Sequence, residues 1–475
     1  MEIIDEVMNE LFAEVGLVPI PPMCDNNNSN STMISDVNVL HSESEECEEN
    51  APPKKKRRRK WTHKKKNAYE NSMFWMDHHN PQCKIPGHRD AANYRLDYRM
   101  PWSEADKLIS VFKENEWLTV APILSNGKRS CPLEIKILGT LYWMGSGCTW
   151  RTIHNLSGRV FSEQSFRLFG LAFLKIMAEH LAPIHIKKPR TVEELEQINA
   201  QYSERGFPGA CGSMDGVQIY WEACPYRLKY SFTGKETKPT VGFNCTVDHN
   251  LRFLYVGDLF AGRFNDKTKL LYDEYIQELR TGKFKDFAYT MKDKNGNQFT
   301  ETGPYVINDN GYHYWSQCMC PSKHTAVPHL ALLSKHLEST RKDVERTFGI
   351  MKKRFRILKF PLLLTDVTDI KNLFLTCATL HKMLLKFDKQ FKDNCSPTVA
   401  IRNNTEVTDR RARLVYNQNQ LLRAETGTET ADQTILTDEV ADEVVDAEID
   451  QSFGSKRDRL AQHMHFLFRH RKLKW

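Results

Sequence analysis

Long apolar runs and clustered cysteines are both missing from this 475-residue sequence. A membrane-spanning helix needs about 18 or more consecutive apolar residues, and no such run occurs. The chain starts with an acidic segment rather than the basic one of a secretory signal. Its twelve cysteines are scattered, and only Cys318 and Cys320 lie close together. We therefore expect no membrane association and a reducing compartment.

Basic residues are absent from two stretches of the chain. Residues 1–50 contain twelve acidic side chains and residues 425–450 contain ten, and neither stretch has a Lys or Arg. Because the net charge of the whole chain is +7, the remaining 399 residues carry +29. A basic body between acidic tails indicates a polyanionic partner, DNA above all, while a charge balance that only improves solubility is the alternative.

The N-terminal segment, residues 1–70, is predicted to be a disordered acidic tail that ends in a basic cluster. Its first 50 residues are rich in Asn, Ser and Glu. Ten of the thirteen residues from Lys54 to Lys66 are basic. This cluster predicts a nuclear import signal, a DNA-binding arm or both, and hence a nuclear protein, with a merely solvated charge run as the alternative. The residues assigned to import are Lys54, Lys55, Lys56, Arg57, Arg58, Arg59 and Lys60.

A zinc site is a weaker alternative just after this tail. His78, His79, Cys83 and His88 are all metal-ligating residue types. Their spacing fits no standard zinc finger, so the pattern does not favour one.

Residues 95–200 have the signals of several short helices. Pro132 is a favourable first residue for a helix from Leu133 to Met144, which Gly145-Ser146-Gly147 interrupts. Thr149 and Ser162 are good caps for the next two helices. These helices with a glycine-containing turn predict either a helix-turn-helix-like unit that reads DNA or a helical cap on the following domain. The pattern alone does not choose between the two.

Residues 209–390 predict a mixed α/β domain. Val217, Ile219 and Trp221 alternate as in a half-buried strand, and the segments that follow predict two further strands, helices and a short buried strand. The predicted elements after the first strand are strands Val241–Val247, Leu251–Val256 and Tyr305–Ile307, a loop or hairpin Lys292–Thr302, and helices Lys267–Arg280, Leu330–Leu337, Lys342–Arg356 and Ile370–Leu385. We expect residues 396–475 to be a mostly disordered acidic tail with a basic end.

Three acidic residues lie where such a domain collects functional side chains. Asp215 is expected at the start of the first strand and Asp309 just past a buried strand, at the sheet edge. Glu345 falls beside the apolar stripe of its helix. Each has a plain structural alternative, because aspartates next to glycine often form turns and Glu345 has Arg341 as an ion-pair partner.

Chemistry gives a reason to bring three carboxylates together. Like charges held close raise one another's pKa, and a bound cation relieves the repulsion. Mg²⁺ and Mn²⁺ prefer oxygen ligands. Two such ions about 4 Å apart can bind both the attacking and the leaving oxygen of a phosphodiester.

The sequence around these acids resembles that of Harbinger-like (PIF/Harbinger) transposases, especially the plant transposon protein branch. Several motifs occur in the family's order, and the resemblance covers roughly residues 95–390. The matching segments are Gly212–Val217, Pro239-Thr240 with Phe243-Asn244, Asn308–Tyr312, Asp343–Phe355, Cys377–His381 and the helical stretch Leu133–Leu156.

This resemblance implies an RNase H-like fold and a metal-dependent DDE endonuclease that cuts DNA and joins strands. Asp215, Asp309 and Glu345 match its three catalytic, metal-binding acids, with Mg²⁺ or Mn²⁺ as the cofactor. Asp266 matches an intervening acid of the family and is an auxiliary candidate, although a helix N-cap explains it equally well. The family also implies a Myb-like DNA-binding partner protein, and a homo-oligomer is open.

DNA contacts are expected mainly at phosphates. Lys352, Lys353 and Arg356 follow Glu345, and Lys352 and Arg356 are expected to share its helix face. An ordinary solvated basic face is the alternative. The competing function is a domesticated nuclear DNA-binding protein that keeps the transposase fold without cutting.

Overall fold

The structure is a computed structural model that describes residues 69–119, 129–322, 325–394 and 450–470. The described residues all belong to one compact unit, which lies within Asn67–Trp475. The predicted import cluster and nearly all of the predicted N-terminal tail lie outside the described residues, as do residues 396–449 of the predicted C-terminal tail.

The region before the sheet is helical, as predicted. Thr149 and Ser162 cap their helices by accepting hydrogen bonds from the backbone N–H groups of Thr152 and Ser165, and Gly147 ends the preceding helix at φ 68°. None of the described helices is long and apolar enough to cross a membrane. The helices are α1 Met73–His79, α2 Arg89–Tyr98, α3 Trp102–Glu114, α4 Leu133–Ser146, α5 Trp150–Leu156, α6 Glu163–Ile176, α7 Ala182–His185 and α8 Val192–Ser203.

A five-stranded mixed sheet follows. Its strands are β1 Ala210–Tyr220, β2 Thr240–Val247, β3 Phe253–Ala261, β6 Tyr305–Ile307 and β7 Cys318–Met319, in the order β3-β2-β1-β6-β7. β1, β2 and β3 pair antiparallel, whereas β6 runs parallel to β1 and β7 parallel to β6. Between β3 and β6 lies a separate hairpin of β4 Ala288–Lys292 and β5 Gln298–Thr302, in the segment predicted to be a loop or hairpin.

Two helical predictions were wrong in their bounds. A short helix, α9 Lys229–Phe232, lies between β1 and β2. The single helix predicted after the third strand is two helices, α10 Asp266–Leu271 and α11 Glu274–Arg280, because Asp273 between them caps the second one. The two helices predicted around Glu345 are instead one, α12 Pro328–Arg354, whose Leu333, Leu337, Val344 and Phe348 are buried. A last long helix of this region, α13, spans Val367–Asn394.

The early helices pack on the helices of the sheet domain. The Thr376 hydroxyl on α13 donates to the Leu174 carbonyl at the end of α6. Arg95 Nη2 on α2 lies 2.5 Å from Asp388 Oδ1 on α13. These contacts support the helical-cap interpretation of residues 95–200. A DNA-reading role of the same helices stays a prediction.

Residues 450–470 correct the expectation of a disordered C-terminal end. They form α14, Gln451–Arg469, which buries Phe453, Leu460 and Met464 in the core. Lys456 donates to the carbonyls of Thr302 and Gly303, and His463 Nδ1 accepts from the backbone N–H of Lys292 at 2.9 Å. The apolar residues recur at helical spacing, but the basic composition of this segment obscured the pattern.

Candidate acidic site at the edge of the sheet

The strand register brings Asp215 and Asp309 side by side. Ser213 on β1 pairs with Ile307 on the parallel strand β6. Two residues beyond that pair are Asp215 on β1 and Asp309 after the end of β6. Because side chains two residues apart share a face of a strand and neighbouring strands lie about 5 Å apart, the two carboxylates face the same space. The sequence pattern had placed Asp215 at the start of the first strand. In the structure it lies in the middle of β1.

Asp266 joins these two acids. It is the first residue of α10, and the N-cap is Asn265, whose side chain accepts from Thr268 N, so the capping explanation offered for Asp266 was wrong. A Cβ placed on Gly216 would lie 3.3 Å from Asp266 Oδ1, and one on Gly311 would lie 3.4 Å from Asp266 Oδ2 and 3.0 Å from Asp309 Oδ1. The two glycines therefore keep open the small space in which the carboxylates meet.

Glu345 is linked to the acids through an arginine. Arg341 and Glu345 lie one turn apart on α12, and Arg341 Nη2 is 2.8 Å from Glu345 Oε1. The other end of the guanidinium, Nη1, is 2.5 Å from Asp215 Oδ2. The side chain of Glu345 is about half exposed, while those of Arg341 and Asp215 are mostly buried. Arg341 thus occupies the place between the first and the third predicted acid.

The electrostatics of the site match this crowding. Burial is the main cause that raises the pKa of Asp215 to about 6; Arg341 and the Gly216 N–H oppose the rise, and the carboxylates of Asp309 and Asp266 add to it. Asp215 Oδ1 accepts that N–H bond at 2.8 Å. Burial therefore disfavours the ionised form of Asp215, and the charge of Arg341 favours it.

Polar groups around the acids complete the site. Lys269, almost fully buried, donates to Asp266 Oδ1 at 3.1 Å. The Tyr312 hydroxyl donates to Asn244 Oδ1 at 3.4 Å. Neither contact was expected from the sequence; the spacing of three residues between Asp266 and Lys269 on one helix is the signal that predicts the first.

The residues of this site offer oxygen donors of the kind that bind divalent cations, and an arginine lies among them. The donors are oxygens, which Mg²⁺ and Mn²⁺ prefer, and Asn310 next to Asp309 has a buried Oδ1 without a hydrogen-bond partner among the described residues. Within the described ranges, no three His, Cys, Asp or Glu side chains form a group that could hold a metal ion. The Arg341 guanidinium lies between Asp215 and Glu345 and supplies positive charge there.

The three predicted DNA-binding residues differ in their surroundings. Lys352 is largely buried and donates to the Gln218 carbonyl at 3.1 Å, and its burial lowers its pKa. Lys353 is exposed. Arg356 lies beyond the end of α12, in a 3-10 turn, with its guanidinium carbon 5.3 Å from the Phe360 ring centroid. The prediction that Arg356 shares a helix face with Glu345 was therefore wrong, because the helix ends at Arg354, whereas Lys352 lies on the same helix as Glu345.

The weak zinc alternative finds no support among the described residues. Cys83 Sγ donates to the Asp90 carbonyl, and His88 Nδ1 accepts from the Asp90 N–H as a helix cap. His78 contacts Tyr94 and Asp106. These side chains have separate structural partners.

A family model described as plant transposon protein matches residues 185–392, a range that includes Asp215, Asp266, Asp309 and Glu345. The match supports a transposon-related family for this part of the chain. Neither the search of curated proteins nor the search of solved structures found a match.

Proposed function

We propose that the chain is a metal-dependent DNA endonuclease of the DDE transposase type, with Asp215, Asp309 and Glu345 as its metal-binding catalytic acids. The observation that carries the proposal is the proximity of Asp215 on β1 to Asp309, just past the end of the parallel strand β6, with Glu345 joined to Asp215 through Arg341. The mixed sheet of three antiparallel and two parallel strands supports the RNase H-like core that the sequence resemblance implies.

The proposal assigns a separate role to each residue of the site. The three acids would hold Mg²⁺ or Mn²⁺, and the metal would supply activation of a water or a 3′-hydroxyl and charge stabilisation at the leaving oxygen of the phosphodiester. Asp266 is an auxiliary acid, kept in place by Lys269. Arg341 neutralises the acids before a metal binds. Lys353 is well exposed for a phosphate contact.

The wider setting follows from the same proposal. DNA is the substrate, the basic cluster Lys54–Lys66 directs the protein to the nucleus, and a Myb-like protein or a second copy of the chain assists binding. The joining of DNA strands is a further step that the transposase type includes.

A second candidate is a nuclear DNA-binding protein that keeps the fold without cutting. The observation in its favour is Arg341, because a guanidinium held between Asp215 and Glu345 stabilises the acids without any metal. Purified protein incubated with the DNA that flanks its own gene, with and without Mn²⁺, separates the two. Discrete metal-dependent cut ends at terminal repeats support the nuclease, and tight binding with uncut DNA supports the second candidate.

A further inference from the structure

We propose that Tyr226, Tyr230 and Arg263 form a stacking surface for unpaired nucleotide bases next to the acidic site. This inference rests on the proposed function only in taking DNA as the substrate. In this proposal, the connection between β1 and β2 binds the unpaired part of the DNA.

The first observation is the exposure of two aromatic rings on a well-anchored segment. Tyr226 is 92% exposed and Tyr230 is 77% exposed. Between and after them Leu228 and Phe232 are buried, and Phe232 packs edge-on against the buried Trp221 with the ring centroids 4.9 Å apart. The segment is thus fixed by its apolar residues while both tyrosines face the solvent. Large aromatic surfaces exposed in this way mark binding sites.

The second observation is the charge around the rings. The guanidinium of Arg263 lies 5.2 Å from the centre of the Tyr230 ring. The β1–β2 connection together with Arg263 has more exposed basic residues than exposed acids. None of these basic residues forms an ion pair with a described carboxylate. The basic residues are Arg227, Lys229, Lys235, Lys238 and Arg263, and the acids are Glu222 and Glu236. Aromatic rings beside unpaired cations bind single-stranded nucleic acid, by stacking on bases and attracting phosphates.

The third observation is the position of this surface. A Cβ on Gly234 would lie 2.3 Å from the Gly262 carbonyl oxygen and 3.1 Å from Arg263 Cα, so the β1–β2 connection packs directly on the chain that leaves β3. Arg263 is three residues from Asp266, a separation that spans at most about 11 Å. The ring of Tyr230, next to Arg263, therefore lies within a few nucleotides of the acids along a bound strand. Paired bases are stacked inside a duplex, so only unpaired bases reach these rings.

The test measures binding without cleavage. Fluorescence anisotropy in EDTA gives the affinity of the full chain for an oligothymidine of about 10 nucleotides, within the range of single-strand binding sites, and for a blunt duplex. The variants are the double substitutions Tyr226→Ala with Tyr230→Ala and Tyr226→Phe with Tyr230→Phe. The matched control is Phe468→Ala, which removes a half-exposed ring from α14. Thermal melting verifies that each variant folds.

The alanine pair is expected to weaken oligothymidine binding about tenfold or more, since each stacked base contributes through its ring. The phenylalanine pair and the control should stay within about twofold of wild type, and the salt slope should be unchanged, because stacking releases no counterions. Unchanged oligothymidine binding by the alanine pair, or an equal loss with the blunt duplex, overturns the proposal. A chain that binds through these rings yet cuts no DNA contradicts the nuclease and leaves the stacking surface standing.

Discussion

Arg341 Nη1 lies 2.5 Å from Asp215 Oδ2, across the space that separates α12 from the central strand of the sheet. Burial disfavours the anionic form of Asp215 and is the main cause that raises its pKa to about 6. The positive charge of Arg341 opposes that effect, and the nearby carboxylates in turn raise the pKa of Arg341. The arginine therefore acts as the resident cation of the acidic site.

Removing this cation should make the fold depend on an added one. We expect Arg341→Met to destabilise the protein in EDTA by about 2–3 kcal/mol, because breaking a mostly buried ion pair leaves uncompensated carboxylates. Added Mn²⁺ should then raise the melting temperature of Arg341→Met more than that of wild type. Lys335→Gln, which removes an exposed cation from the same helix, is the control. Equal Mn²⁺ responses of all three proteins would contradict this role.

The attachment of α14 should weaken in acid. Burial lowers the pKa of His463 to about 4, well below that of an unfolded histidine, because its ring must stay neutral to accept the Lys292 N–H. The unfolded chain therefore binds a proton more readily between about pH 6.5 and pH 4, and stability falls as the pH falls through this range. At pH 5 the expected loss relative to pH 7 is on the order of 2 kcal/mol.

Chemical unfolding at the two pH values measures this loss. His463→Gln has an acceptor that does not titrate, so its stability should change less between pH 7 and pH 5. A pH dependence identical to that of wild type would show that another group is responsible.

Lys352 and Lys353 are neighbours in sequence with different expected effects. Lys353→Gln should weaken duplex binding and lower the slope of log affinity against log salt by about 0.9, since one phosphate contact is lost. Lys352→Gln should leave the salt slope unchanged and instead lower stability, because the Lys352 ammonium group donates to the Gln218 carbonyl inside the protein. Salt titrations of DNA binding and thermal melts of both variants test the difference, and the reverse pattern would contradict it.

The basic cluster before the folded unit gives a prediction of its own. Deletion of Lys54–Lys66 should reduce nuclear accumulation of a fluorescent fusion, because a dense run of Lys and Arg is the feature that import receptors bind. An equal deletion within the acidic residues 1–50 is the control. Full nuclear retention after removal of the cluster would mean that import uses another segment or a partner.

The strands and the early helices were accessible from the sequence because their signals are local. Alternating apolar residues mark β1, and Thr149 and Ser162 mark the starts of two helices. Asp215, Asp309 and Glu345 were selected as site residues by the sequence motifs around them and not by the periodicity of apolar residues. The length of α12 was missed because polar residues between Leu337 and Val344 resemble a break, although the helix continues through them.

Contacts between distant segments were beyond the reach of sequence patterns. The bond between Arg341 and Asp215 joins residues 126 positions apart, and its existence depends on how α12 packs on the sheet. Similarly, the apolar residues of α14 pack against core residues that lie more than a hundred positions earlier in the sequence. A basic, polar composition suggested a solvated end there, and only tertiary packing shows otherwise.

Metal-dependent cleavage by acid-to-amide variants tests the central claim most directly. Wild type should cut its flanking DNA with Mg²⁺ or Mn²⁺, while Asp215→Asn, Asp309→Asn and Glu345→Gln should each reduce cleavage at least a hundredfold. This corresponds to about 3 kcal/mol in the barrier, and the melting curves should remain cooperative. Asp258→Asn, an exposed acid on β3, should cut like wild type. Undiminished cleavage by any one of the three amide variants would contradict the shared metal-binding role of these acids.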